Sequence, residues 1–144
     1  MATLKISDLS VGDWVEIDHE DYGWQPAQIN VCGDLGIGTF FKDIDPEEEY
    51  DCTLSQARPI PITAEILEKN GWNSDGMYAF LRIDEHRHLE YYYHEHRLRK
   101  YYCGVDEWQN HAKVSDITFA VHCYSVHQLQ HALRIAGVEE EITL

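Results

Sequence analysis

Pro59-Ile60-Pro61-Ile62 constrains this chain more than any other stretch. Two prolines one residue apart lock two φ angles, remove two amide donors and hold the residues before them extended. No helix runs through such a strap, so residues 1–60 and 61–144 must each find a hydrophobic face to bury. The material is there: of 144 residues, 44% are hydrophobic and 12% aromatic, too apolar for general disorder. The two sides differ in charge. Residues 1–60 set Lys5, Lys42 and Arg58 against thirteen acidic residues, whereas residues 61–144 set eight basic against thirteen acidic, within a net −15. That balance argues against broad phosphate neutralisation and against adhesion to an anionic membrane.

Before the strap the chain reads as short strands cut by turns. Val15 and Ile17 alternate with Trp14 and Glu16, and Asp18 to Gly23 reads as an acidic loop. Ala27 to Val31 alternates again, Gly33 to Gly36 is a turn and Ile37 to Phe41 is a third strand. Asp43 to Glu49 is a charged loop and Tyr50 to Leu54 a fourth strand. Strands at about ten-residue spacing predict a small antiparallel barrel. The phrase Leu9-Ser10-Val11-Gly12-Asp13-Trp14-Val15 resembles the first strand of SH3-like barrels of the KOW and Tudor kind.

After the strap, Thr63 is a helix cap with Glu65 in the first turn, and Asn70-Gly71 is a stop. A meander is expected over Met77–Ile83, Leu89–Tyr93, Leu98–Cys103 and Ile117–Val121. Ser125 caps a last helix, Val126 to Ala136, that Gly137 ends, and Glu140 to Leu144 is a candidate edge strand. The phrase from Pro59 to Leu67, followed by Asn70-Gly71-Trp72, resembles small uncharacterised proteins of gut bacteria, their phages and mobile elements. Val126-His127-Gln128-Leu129-Gln130 and the acidic-aliphatic ending match the same proteins. The resemblance implies a setting and assigns no catalytic residue.

Catalytic patterns fail one by one. There is no Gly-x-Ser-x-Gly elbow, and the turn glycines Gly33, Gly36 and Gly38 have no phosphate-loop lysine among them. Cys32, Cys52, Cys103 and Cys123 lack metal or redox spacing and read as reduced, mostly buried thiols. His86/His88 and His94/His96 are both His-x-His, but turn-forming Asp84–Arg87 and strand-forming Leu89–Tyr93 send the pairs to opposite ends of a sheet. His127 and His131 have metal-compatible spacing and are expected on the helix face opposite Leu129 and Leu133. Gln128 stands where a zincin carries its glutamate. Tyr91–Tyr93 and Arg97–Tyr102 interleave aromatics with cations as single-strand platforms do, although alternation must send part of that set into the core.

The expected architecture is α+β. An SH3-like antiparallel barrel over residues 1–60 precedes an antiparallel sheet with two helices over 61–144, as two lobes of one cooperative unit. The expected function is a non-catalytic protein-binding module, using no cofactor, that docks to a host protein through its acidic lobe. In its sharper form that lobe mimics nucleic acid and occupies a basic nucleic-acid-handling protein. The residues expected to meet the partner are Trp14, Asp18, Glu20, Asp21, Tyr22 and Trp24. The alternative is a histidine-coordinated metalloprotein or small enzyme using His127 and His131. A homo-oligomer paired through a sheet edge or the tail is a third reading. No apolar run approaches the ~20 residues of a membrane span. Met1 to Asp8 lacks the basic and apolar stretches of a secretion signal, so a cytoplasmic location is expected.

Overall fold

The computed structural model describes residues 4–102 and 116–144; the reading of the first three residues and of Cys103 lies outside them. Two compact units emerge: Met1–Pro61 with Ser125–His127 and Leu144, and Ile62–Tyr124 with Gln128–Thr143. The content is α+β, with two antiparallel sheets and two helices among the described residues. None of these helices is long and apolar enough to cross a membrane.

In the first unit, β1 (Trp14–His19), β2 (Gly23–Gly33), β3 (Gly36–Phe41), β4 (Tyr50–Cys52) and β5 (Ala57–Arg58) form one sheet. Its order is β4-β3-β2-β1-β5. Alternation sets its inner face: Val15 and Ile17 are wholly buried, and pairing brings Ala27 opposite Val15 and Phe41 opposite Ala27. Leu4, Leu9, Ile29, Ile37 and Cys52 complete that core. A bulge between Ile29 and Val31 adds local twist to the long β2, and the sheet curls into a half-barrel. The turn joining β2 to β3 needs glycine at 36: φ is +147°, and a Cβ there would lie 2.7 Å from the Cys52 carbonyl oxygen.

Two expectations are corrected in this unit. Asp18 to Gly23 is not a loop, because the ladder continues through Asp18↔Trp24 and His19↔Gly23 and leaves only Glu20-Asp21-Tyr22 to turn. The fourth strand stops at Cys52, where Thr53 and Gln56 exchange hydrogen bonds around a 3-10 turn at Leu54–Gln56. Ala57–Arg58 then pairs with β1, a strand too short for any periodicity to reveal.

The second unit opens with α1 (Ala64–Lys69). The Thr63 hydroxyl accepts from the Ile66 amide at 3.3 Å, and Gly71 ends the helix at φ +87°. Then β6 (Asn73–Ser74), β7 (Tyr78–Arg82), β8 (Arg87–Tyr92), β9 (Arg97–Tyr102) and β10 (Asp116–His122) make a sheet ordered β10-β9-β8-β7-β6. The turns between β7, β8 and β9 fall where turn chemistry placed them, so His86/His88 and His94/His96 sit at opposite ends of β8. Asp84 holds the first turn. It accepts from the amides of His86 and Arg87, and the Arg87 guanidinium, 2.6 Å away, draws its carboxyl down to about 2.

Helix α2 (Val126–Ile135) closes in a Schellman arrangement, Gly137 N–H to the Arg134 carbonyl and Val138 N–H to that of Leu133. One face of the second sheet is buried at Ala79, Leu89, Tyr91 and Leu98. Tyr91 donates its hydroxyl to the Cys123 carbonyl at 2.7 Å, and the Lys100 ammonium meets the Ala136 carbonyl at 2.6 Å, where a helix C-terminus favours a cation.

Two further corrections fall here. His127 does not face solvent: it is 2% exposed, with Nδ1 3.1 Å from the Ser125 hydroxyl, while His131 is half-buried. Burial at Val126, His127, Leu129, Gln130, Ala132 and Leu133 narrows the open side of the helix to Gln128, His131, Arg134 and Ile135, and His127 falls outside it. The tail forms no edge strand either. Ile142 anchors it, and the Asn70 carboxamide serves its backbone, accepting from the Thr143 amide and donating to the Thr143 carbonyl, each at 2.8 Å.

Candidate functional site

The meander of the first unit brings two acidic loops to one end of its sheet. Chain direction does this: β1 ends and β2 begins there, as β3 ends and β4 begins. The first turn carries Glu20 and Asp21, with Asp18 at the end of β1 beside it, all three exposed. The second carries exposed Asp43, Asp45, Glu47 and Glu48, and Lys42 beside it is the nearest cation in sequence. Four rings join the loops. His19 lies 5.0 Å from Tyr22, 5.2 Å from Phe41 and 5.1 Å from Tyr50, and Phe41 lies 5.1 Å from Tyr50. His19 Nδ1 accepts the Asp21 amide at 3.0 Å, so the neutral ring carries its proton on Nε2 and pins the turn. Tyr22, 62% exposed, presents most of its ring beside the carboxylates.

Of the residues expected to meet a partner, Asp18, Glu20, Asp21 and Tyr22 gather at this end, and Trp24, paired with Asp18, stands there too, on the outer face of the sheet. Trp14 pairs with Gln28 and lies four register positions away, roughly 13 Å along the strands. Trp24 also has its ring covered by the Arg58 guanidinium at 4.2 Å, which in turn pairs with Glu16 at 3.2 Å. Sequence reasoning missed His19, Phe41 and Tyr50. The available signal was position: each flanks an acidic turn, and His19 continues the inward alternation of Val15 and Ile17.

The second sheet offers a different surface. Pairing places Tyr78, Phe80 and Arg82 of β7, His88, Glu90 and Tyr92 of β8, and Arg97, Arg99 and Tyr101 of β9 on the face opposite the core. Ile117, Ala120 and His122 of β10 extend it. Its rings stack on one another. His88 lies between Phe80 at 4.8 Å and Tyr101 at 4.9 Å, Tyr78 stacks on Tyr92 at 5.6 Å, and Arg99 sits 5.1 Å over Tyr92. At its margin Gly76, Met77, Tyr78, Tyr92, Tyr93 and Glu95 line an open groove of about 780 Å³. Glu90 is the carboxylate within this face. Burial pushes its pKa up, but hydrogen bonds from His88, Tyr92 and Tyr101 outweigh that and hold it below the usual range.

Metal ligands do not converge among the described residues: no three His, Cys, Asp or Glu side chains gather around a point. Buried thiols are protonated. Desolvation raises Cys52 to about 11 and Cys123 to about 12. Compared with known proteins, the chain matches no family model, no curated protein and no solved structure.

Proposed function

We propose that this chain is a non-catalytic binding module whose first unit, an SH3-like barrel, docks through its acidic end to a basic patch on a protein partner. The observation that carries the reading is the convergence of the two acidic loops around His19, Tyr22, Phe41 and Tyr50. Carboxylates draw a cationic partner in, and ring faces add cation–π contact once an arginine or lysine arrives. The barrel assignment rests on the strand order β4-β3-β2-β1-β5 and on the 3-10 turn just before the last, short strand. The Pro-Ile-Pro-Ile-Thr junction supports a phage or mobile-element setting, with a host protein as partner. In that setting a nucleic-acid-handling protein, whose surface is built to meet phosphates, is the natural target of an acidic mimic.

The test is capture from nuclease-treated host lysate on the immobilised chain, alongside Glu20→Lys/Asp21→Lys. A basic protein held stoichiometrically by the parent and lost from the variant is the expected result. Its affinity should fall steeply between low and physiological salt, since several charge pairs are screened together. Binding that ignores both salt and the reversal would refute docking at the acidic end.

A further inference from the structure

We propose that Asn70-Gly71 is a deamidation site held shut by the tail over residues 138–144: release of the tail opens it, and the modified residue then keeps the tail released. The proposal uses nothing of the acidic end of the first unit and is independent of the docking reading. Asn-Gly occurs once in the chain. It is the pair most open to this chemistry, because glycine has no side chain to shield its main-chain nitrogen. That nitrogen bonds to the Asn70 Cγ and gives up its proton, and the carboxamide nitrogen leaves as ammonia. Water then opens the cyclic imide at either carbonyl. One product is aspartate on an intact main chain; the other is isoaspartate, with the main chain routed through the side chain.

In the folded chain the two reacting groups are held apart by the bonds they make elsewhere. The Asn70 Nδ2 donates to the carbonyls of Ile66 and Thr143, each at 2.8 Å. Its Oδ1 accepts from the Thr143 amide at 2.8 Å and from the Thr143 hydroxyl at 3.3 Å. Gly71 N–H donates to the Glu68 carbonyl at 3.1 Å. Most of the carboxamide's bonds therefore go to Thr143, 73 positions away, and Ile142, 3% exposed, seats the tail beside it. Solvent does not provide the lock. Gly71 is exposed, and nothing lies within 4 Å of where a Cβ would stand. The product undoes the clasp. A carboxylate has no N–H to donate, so two carbonyl oxygens that met an amide nitrogen would face an anion. Asn70 is also the C-cap of α1, the end of a helix that disfavours negative charge, and the tail already carries Glu139, Glu140 and Glu141. Isoaspartate adds a methylene where the Asn70, Gly71 and Trp72 amides close the helix.

Peptide mapping by mass spectrometry tests this on the full chain, kept folded in mildly alkaline heavy-oxygen water. Label enters only as the imide is hydrolysed, so it counts new events at Asn70. The parent should react at least about tenfold more slowly than a synthetic peptide spanning residues 66–75. Thr143→Pro, which removes the tail's amide donor, should restore at least about tenfold of that rate. A second reading needs no variant. In the parent, urea below the unfolding transition should raise Asn70 labelling and Thr143 amide exchange by the same factor, while the Leu129 amide stays protected. Asn70→Asp should keep its circular-dichroism spectrum and exchange the Thr143 amide about tenfold faster. A parent as fast as the peptide overturns the proposal, as does labelling that Thr143→Pro leaves unchanged or that rises only when Leu129 exchanges. A Thr143 amide as protected in Asn70→Asp as in the parent overturns the lasting release.

Discussion

Glu90 is held by its neighbours as a low-pKa carboxylate on a sheet face otherwise made of rings and guanidinium groups. Burial opposes its ionisation, and hydrogen bonds from His88, Tyr92 and Tyr101 more than compensate. A carboxyl whose folded pKa lies below its unfolded value of about 4.5 contributes stability that is complete above that pH and is lost as pH falls through the folded value. Asp84, drawn down to about 2 by Arg87, has the same sign, so acid weakens this sheet from two places. Glu90→Gln should therefore flatten the pH dependence. Urea midpoints measured from about pH 6 to about pH 3 should fall less for the variant than for the parent. At pH 6 the variant should be less stable by about 1–3 kcal/mol, the scale of a charge-assisted hydrogen bond lost in a partly buried site. Parallel slopes would mean that Glu90 carries no such shift. The cysteines show the opposite regime: Cys52 and Cys123, raised by burial, stay neutral and pack as small hydrophobes, as their spacing suggested.

Helix α2 shows how far an element can depart from its own periodicity. Leu129 and Leu133 are fully buried, and so is most of the circumference, whereas Ile135 is 75% exposed. Leu133→Ala should cost about 2–5 kcal/mol as a core cavity, while Ile135→Ala should stay within about 0.5 kcal/mol; thermal melts of the two decide it. What could be read in advance was local chemistry. Thr63 and Gly137 bound their helices, and the residues between β7, β8 and β9 turn because Asp84 and its neighbours favour turns over ladders. What could not be read depended on residues far away in sequence. His127 was assigned to solvent or a partner because a helical wheel supposes one buried face. Trp14 and Trp24 were grouped in the aromatic groove of an SH3-like barrel, and their spacing along the sheet follows only from the register of β1 on β2. The cluster of His19, Phe41 and Tyr50 needs three strands to be paired before it exists at all.

At the scale of the whole molecule, the strap that divides the sequence also ties the chain to a segment far downstream. Pro61 bridges to Ser125, and the Ile60 carbonyl accepts the Val126 amide at 2.8 Å, so residues 125–127 count with the first unit. From Gln128 the same helix counts with the second unit. A helix is costly to nucleate and cheap to extend, so the turn at Val126 and the turns after it should form and melt together. We therefore expect one cooperative transition, with calorimetric and van't Hoff enthalpies equal. Val126→Pro isolates the link. Val126 is the first helical residue after Ser125, the position where proline suits a helix, so α2 should keep its shape while the donor to Ile60 disappears. Leaving that carbonyl without its partner should cost about 1–3 kcal/mol. Hydrogen exchange then reads whether the loss is shared. Protection of the Ile17 amide in the first unit and the Leu89 amide in the second should fall by the same free energy if the units unfold as one. A fall confined to Ile17 would show two units that unfold separately, joined by the chain alone.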